Sequence, residues 1–150
     1  CSQGLQKDLG FTKEQIIGFN VNLLMPPFYR ELHDSFLLRH YETGKGRLIN
    51  VTHGMPVRDV NDYIHGVHFH LKINPLVEQG MSYIALFRPM RLASTTGLFL
   101  VRDDGRIDSF SKDLGSFLNI THMKNEKNFS IFSLCPDFWV LNEIFNLKTF

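Results

Sequence analysis

The sequence contains few of the residues that mark disulfide-rich, membrane or nucleic-acid-binding proteins. It has only two cysteines, Cys1 and Cys135, and their wide separation fits neither a disulfide framework nor a zinc-ribbon spacing. No stretch reaches the roughly 18 to 20 apolar residues of a membrane helix, and no basic start followed by an apolar run resembles a signal peptide. Lys and Arg number 16 against 15 Asp and Glu, and a net charge of +1 names no nucleic-acid partner. We therefore expect an intracellular segment without a membrane span of its own.

The common signatures of catalysis are also missing. There is no Gly-rich phosphate loop, no G-x-S-x-G elbow and no H-E-x-x-H pair, and the acidic run at 103–105 is better explained as a turn. Three N-x-S/T triplets begin at Asn50, Asn119 and Asn128, but such a short pattern often arises by chance in an Asn-rich chain. The sequence therefore predicts a non-catalytic protein and does not establish secretion.

The N-terminal part of the chain predicts three helices. A short helix carries Leu5 and Leu9, four residues apart. Thr12 and Gln15 form a T-x-x-Q capping box that begins a second helix over 11–18. A pair of prolines opens a third, amphipathic helix near 27–43, because a proline in the first turn breaks no hydrogen bond of the helix.

From residue 47 the hydrophobic period becomes that of a strand. Apolar residues alternate with polar ones between 67 and 73, so one set is expected to face the helices and the other to face away. The inward set is Val67, Phe69, Leu71 and Ile73, and the outward set is His68, His70 and Lys72. Strands are expected near 47–58, 63–73 and 82–88, antiparallel, with turns at 61–62 and 78–80.

A hairpin is predicted after a linker at 91–96. Its strands, 97–102 and 106–111, flank an Asp-Gly turn. Short helices are expected around 114–118 and over 138–147. Because an open strand edge invites association, we expect the strand near 82–88 to be covered by this hairpin, by an upstream segment or by a neighbouring chain.

One long segment resembles the helical half of PAS domains of the S-box type: LGFTKEQIIGFNVNLLMPPFYRELHDSFLLRHYETGKGRLIN. The strands at 63–73 and 82–88 resemble the last two strands of that fold. The resemblance implies an α+β fold in which helices pack on one face of an antiparallel sheet, here without its first two strands. It implies a PAS domain over 1–92. The hairpin resembles the two opening strands, so 93–150 is expected to begin a second PAS repeat in tandem.

PAS domains relay signals, bind ligands or dimerise, so the fold alone does not fix the function. The chain begins without Met, and we expect a piece of a larger signalling or membrane-associated protein. The leading hypothesis is a sensory or regulatory interaction module whose partners are other domains or subunits, another PAS domain among them. Its expected interaction face is His68, His70 and Lys72. A purely structural scaffold element is an alternative.

A haem- or small-ligand-binding gas or redox sensor is the other alternative. By this resemblance, His33 stands at the position where haem-binding PAS domains carry the iron ligand. His53 stands at the position where those sensors carry an oxygen-binding arginine. Phe36, Leu37 and Tyr41 are the neighbours expected to line the pocket. We expect no haem, with His33 bonded to backbone or to a carboxylate. The segment 20–25 has no cysteine for a flavin adduct. His65, His68 and His70 lie close together in the sequence, but without further ligands beside them they do not make a metal site.

Overall fold

The computed structural model describes residues 3–76, 80–93, 95–123, 129–138 and 140. Within them it contains four α-helices and five strands. The helices are α1 (Gln3–Leu9), α2 (Lys13–Ile16), α3 (Pro27–Thr43) and α4 (Lys112–Phe117), with short 3-10 helices at Val21–Leu24, Thr121–Met123 and Ile131–Ser133. The strands are β1 (Thr52–Arg58), β2 (Ile64–Leu76), β3 (Gly80–Pro89), β4 (Phe99–Val101) and β5 (Ile107–Phe110).

The second helix begins at the capping box predicted for it. The backbone N–H of Thr12 donates to Oε1 of Gln15 at 2.9 Å, which satisfies a donor that the helix itself leaves unpaired. Phe11 and Ile16 lie in the same apolar core, one on each side of this start, as in a hydrophobic staple. The helix is shorter than the predicted range of 11–18, since α2 spans only Lys13–Ile16.

The third helix has the predicted limits, but it lies on the surface. It ends at Gly44, whose φ of 65° is the left-handed conformation that glycine adopts without steric cost. No residue of α3 is fully buried. Its partly covered side faces the sheet, because the ring of His40 lies 6.2 Å from that of Tyr83 on β3.

The first three strands form the predicted antiparallel sheet, in the order β1-β2-β3. β1 begins five residues later than expected, because Asn50 has a φ of 60° and cannot continue a strand there. The helices pack on one face, where the buried cluster joins helix and sheet residues: Leu9, Phe11, Leu24, Val57, Val67 and Phe69. The predicted inward orientation is thereby confirmed for Val67 and Phe69.

The turn between β1 and β2 is held by one buried carboxylate. Oδ1 of Asp59 accepts hydrogen bonds from the backbone N–H groups of Asn61 and Tyr63, at 2.8 and 2.9 Å. This is the local bonding by which Asp stabilises turns. The turn predicted at 78–80 lies outside the described residues except for Gly80.

The hairpin forms a sheet of its own. β4 pairs with β5 around a turn in which Gly105 has a φ of 83°. It does not extend the first sheet, so the alternative in which the hairpin pairs with the edge of β3 is wrong. Its apolar side chains instead build a second core with the residues that follow, centred on Phe110, Ile120 and Phe129. Among the described residues, β3 pairs only with β2, and a cover from another segment or chain stays a prediction.

The two cores meet at one end of the first sheet. Tyr63 contacts Phe110 across 6.1 Å between ring centroids. A Cβ added to Gly66 would lie 3.1 Å from the sulfur of Met90 and 3.4 Å from Leu98, so the absence of a side chain lets the linker approach β2. α4 matches the short helix expected at 114–118, and most of the helix expected over 138–147 lies outside the described residues.

Candidate interaction surface

The face of the first sheet that points away from α1 and α2 carries alternate residues of β2 and β3. Because Val67 and Phe69 point into the core, their neighbours in the strand point outward. His68, His70 and Lys72 lie opposite Arg88, Leu86 and Ile84 in the register of the two strands. We call the resulting patch the outer surface: Thr52, His68, His70, Lys72, Ile84, Leu86 and Arg88.

Two large apolar side chains stand side by side on the outer surface. Ile84 is 47% exposed and Leu86 is 54% exposed. They are two residues apart on one strand, so their side chains point the same way about 7 Å apart. A single exposed apolar residue is ordinary, whereas neighbouring exposed apolar residues form a patch of the kind that binding sites contain.

The charges around this apolar pair have one sign. Lys72 and Arg88 are exposed, and neither forms an ion pair with any described residue. No Asp or Glu occurs in β1, β2 or β3. The local field of the outer surface is therefore positive although the whole chain is nearly neutral.

The two histidines of the outer surface are partly covered and differently bonded. Nδ1 of His70 lies 3.0 Å from the hydroxyl of Thr52 on β1, a hydrogen bond that holds the ring over the sheet. His68 lies opposite Gly54, and the Met90 side chain occupies the space over that glycine, 3.6 Å from where a Cβ would stand. His70 is thus fixed in position by Thr52, and His68 is partly covered on the side of β1 where Met90 lies.

The third histidine of the group, His65, does not join them. It has the same orientation in β2 as Val67, and its Nε2 lies 2.8 Å from Oδ2 of Asp59 in the turn. The strand therefore divides the three histidines between its two faces. Among the described residues, no three His, Cys, Asp or Glu side chains are placed to hold a metal ion together.

The residues associated with haem lie on different sides of α3. His33 and Leu37 are partly buried on the side that faces the sheet, whereas Phe36 is 52% exposed and Tyr41 is 61% exposed. Tyr41 contacts Tyr83, and burial, followed by this neighbour, raises the pKa of Tyr83. Two of the three expected wall residues thus face mainly solvent.

The hydrogen bond expected at His33 is not found at Nδ1 of its ring among the described residues. This Nδ1 is buried and has no hydrogen-bond partner in the part of the chain that the structure describes, and Oδ1 of Asp34 lies 3.9 Å away. Burial lowers the pKa of His33, against the opposing effect of Asp34, and so favours the neutral ring. Nε2 of His53, on β1, lies 3.2 Å from the carbonyl oxygen of Arg47.

One charged cluster, between α3 and the hairpin, was not predicted from the sequence. Arg102 contacts Glu31 through two nitrogen atoms, at 2.7 and 2.9 Å, and contacts Oδ1 of Asp108 at 2.8 Å. Its guanidinium also lies over the ring of Phe28, 5.6 Å from the centroid. Hydrogen bonding to Arg102 lowers the pKa of Glu31, and hydrogen bonding to Glu31 raises that of Arg102. The cluster connects α3 to the hairpin.

An open cavity of about 260 Å³ lies where the linker crosses the end of the sheet. Its lining mixes His65 and Asp113 with apolar side chains such as Ile64, Met90 and Leu98. His65 is already bonded to Asp59, which leaves Asp113 as the other charged side chain of the described lining. The cavity therefore gives weaker support for a binding site than the outer surface.

The helices and strands of the described residues give the fold class of the chain. The chain is an α+β protein with antiparallel sheets, and within the described residues no helix has the length and apolar character needed to cross a membrane. A comparison with models of known protein families finds none that matches the chain.

Proposed function

We propose that this chain is a non-catalytic sensory or regulatory module that binds other domains or subunits of a larger protein through its outer surface. The observation that carries the proposal is the exposed apolar pair, Ile84 and Leu86, set among cationic and histidine side chains without any acidic residue in the strands. Regular secondary structure holds this patch in place. A signal is relayed when binding at the patch and the state of the flanking segments depend on each other.

A PAS-type identity is part of the same proposal. It is supported by the order of elements, with three helices followed by three antiparallel strands, and by the packing of the helices on one face only. The proposed PAS unit is 1–92, and 93–150 is proposed as the start of a second repeat. The separate apolar cores of the two parts are consistent with this division.

Haem binding is the second candidate, and one observation favours it. Nδ1 of His33 is buried with no hydrogen-bond partner among the described residues, its pKa is lowered, and the neutral imidazole is the form that ligates iron. The other residues do not fit well around it, because Phe36 and Tyr41 are more than half exposed. The interaction module therefore stands first.

The experiment that tests the first proposal is photo-crosslinking from Leu86 in the longest natural polypeptide that contains this chain. A side chain that is half exposed in the isolated chain and lies in an interface in the assembled protein reacts with its partner. Leu38 on α3 is the matched control, because it is also leucine and is 59% exposed. A scaffold element without exchangeable partners would give, from either position, no crosslinks that change with the signalling state of the assembled protein.

A further inference from the structure

We propose that the partner segment bound by the outer surface is an acidic amphipathic helix. This inference rests on the function proposed above and specifies the chemistry of the partner. It follows from two properties of the outer surface: the spacing of its apolar pair and the sign and position of its charges.

The apolar pair matches the spacing of a helix. Side chains two residues apart on a strand lie about 7 Å apart, and residues four apart on a helix rise about 6 Å along its axis. A helix lying along β3 therefore places two apolar residues at i and i+4 over Ile84 and Leu86. The pair is exposed and no described residue covers either side chain fully, so the contact requires no local unfolding.

The cations stand at the two ends of the apolar pair. Arg88 follows Leu86 on β3 with the same orientation, and Lys72 lies opposite Ile84 on β2. Because Lys72 is level with Ile84, it lies four residues from Arg88 along the strand direction, a distance of about 13 Å. This distance corresponds to roughly eight or nine residues of helix. A helix with Asp or Glu near both ends of its apolar stripe would pair with both cations.

The two histidines of the outer surface also favour an acidic partner. His70 lies opposite Leu86, and His68 lies opposite Arg88. A histidine ring can donate a hydrogen bond to a carboxylate in its neutral and in its charged form. Because β1, β2 and β3 contain no acidic side chain, a basic helix would find no ionic partner on these strands.

An acidic peptide fits better than an anionic membrane surface. Membrane-surface binding depends on several basic residues and on a wide apolar face. The outer surface has two exposed cations and two exposed apolar side chains, and the chain as a whole has a net charge of only +1. Such a small patch is suited to a segment one helix wide.

The test compares two synthetic helical peptides of about 18 residues with the same apolar stripe, one flanked by Glu and one by Lys. Binding to the 150-residue chain is measured by fluorescence anisotropy. The Glu peptide should bind about tenfold more tightly than the Lys peptide, the effect expected of two exposed ion pairs, and added salt should reduce the difference.

Two double substitutions, with a third as a control, separate charge from apolar contact. Lys72→Glu with Arg88→Glu should reverse the preference between the peptides. The control, Lys13→Glu with Arg39→Glu, changes the same net charge at exposed sites on α2 and α3 and should leave the preference unchanged. Ile84→Ser with Leu86→Ser should abolish binding of both peptides, and circular dichroism would verify that each variant is folded.

The outcomes distinguish this inference from the proposed function. Equal binding of both peptides, lost in the Ile84 and Leu86 variant, would overturn the acidic partner and keep the docking surface. Binding that ignores the Ile84 and Leu86 substitutions, or no binding of either peptide, would count against both. Binding to vesicles of phosphatidylcholine and phosphatidylserine, lost in the Lys72 and Arg88 variant while the peptides do not bind, would replace the helix by a membrane.

Discussion

Phe69 links the orientation of β2 to the stability of the fold. Its ring is almost completely buried and packs against Phe87 with ring centroids 5.3 Å apart. Truncating a buried phenylalanine removes apolar contacts and leaves a cavity, so Phe69→Ala should lower the free energy of unfolding by about 3 to 5 kcal/mol. Urea denaturation measures this change.

The matched control is Phe36→Ala, the same substitution at a ring that is half exposed on α3. It should cost much less, because the ring keeps most of its contact with water in the folded chain. Equal losses for the two variants, or no loss for Phe69→Ala, would contradict the assignment of the inner face of the sheet.

His33 decides between an interaction module and a haem sensor. We expect that haemin added to the chain gives no sharp Soret band that depends on His33, because two of the side chains expected beside this histidine face mainly solvent. Visible spectra of the wild type and of His33→Ala, oxidised and reduced, measure this. A sharp band that shifts on reduction and disappears in His33→Ala would favour the sensor.

Single residues show which parts of the structure local chemistry determines. The alternation around Phe69 and the capping box at Thr12 could be predicted, because each depends on neighbours within a few residues. The exposure of Phe36 and Tyr41 could not. A helix with apolar residues on more than one side does not reveal in its sequence which side faces the sheet.

At the scale of elements, Arg102 is the main polar connection between α3 and the hairpin. It neutralises Asp108, whose side chain is only 2% exposed, and also contacts Glu31 on α3. Arg102→Ala leaves the buried carboxylate of Asp108 with the hydroxyl of Ser109 but without a cation, and removing one partner of a buried pair costs about 3 kcal/mol or more. We expect a loss of this size in urea denaturation.

Arg106 provides the control for Arg102. It bonds to Asp104 within the exposed turn of the hairpin, where both side chains are about half exposed. Arg106→Ala should therefore leave stability nearly unchanged. If the two arginine variants were equally stable, Arg102 would not hold the hairpin to α3.

The hairpin also shows where prediction from sequence ends. Its turn was predictable because Asp-Gly favours the positive φ observed at Gly105. Its position was not, because the contact between Arg102 and Glu31 joins residues 71 positions apart. Whether a hairpin extends an existing sheet or forms its own depends on which apolar faces meet, here those around Phe110, Ile120 and Phe129.

At the scale of the whole molecule, the two parts of the chain have different roles in our proposal. The three-stranded sheet uses one face for its core and presents the other to a partner. The hairpin part is joined to the sheet near Tyr63 and to α3 through Arg102. In our proposal, this second contact is the route by which the state of the hairpin affects the helices that support the sheet.

Photo-crosslinking from position 86 tests the central claim most directly, because it reports what contacts the outer surface in the assembled protein. A photoreactive residue is placed at Leu86, or at the control Leu38, in the longest natural polypeptide that contains this chain, and crosslinked peptides are identified by mass spectrometry. Our account predicts that position 86 crosslinks to one segment of another domain or subunit, that position 38 does not, and that Lys72→Glu with Arg88→Glu reduces the yield. No crosslinks from position 86, or the same crosslinks from both positions, would contradict it.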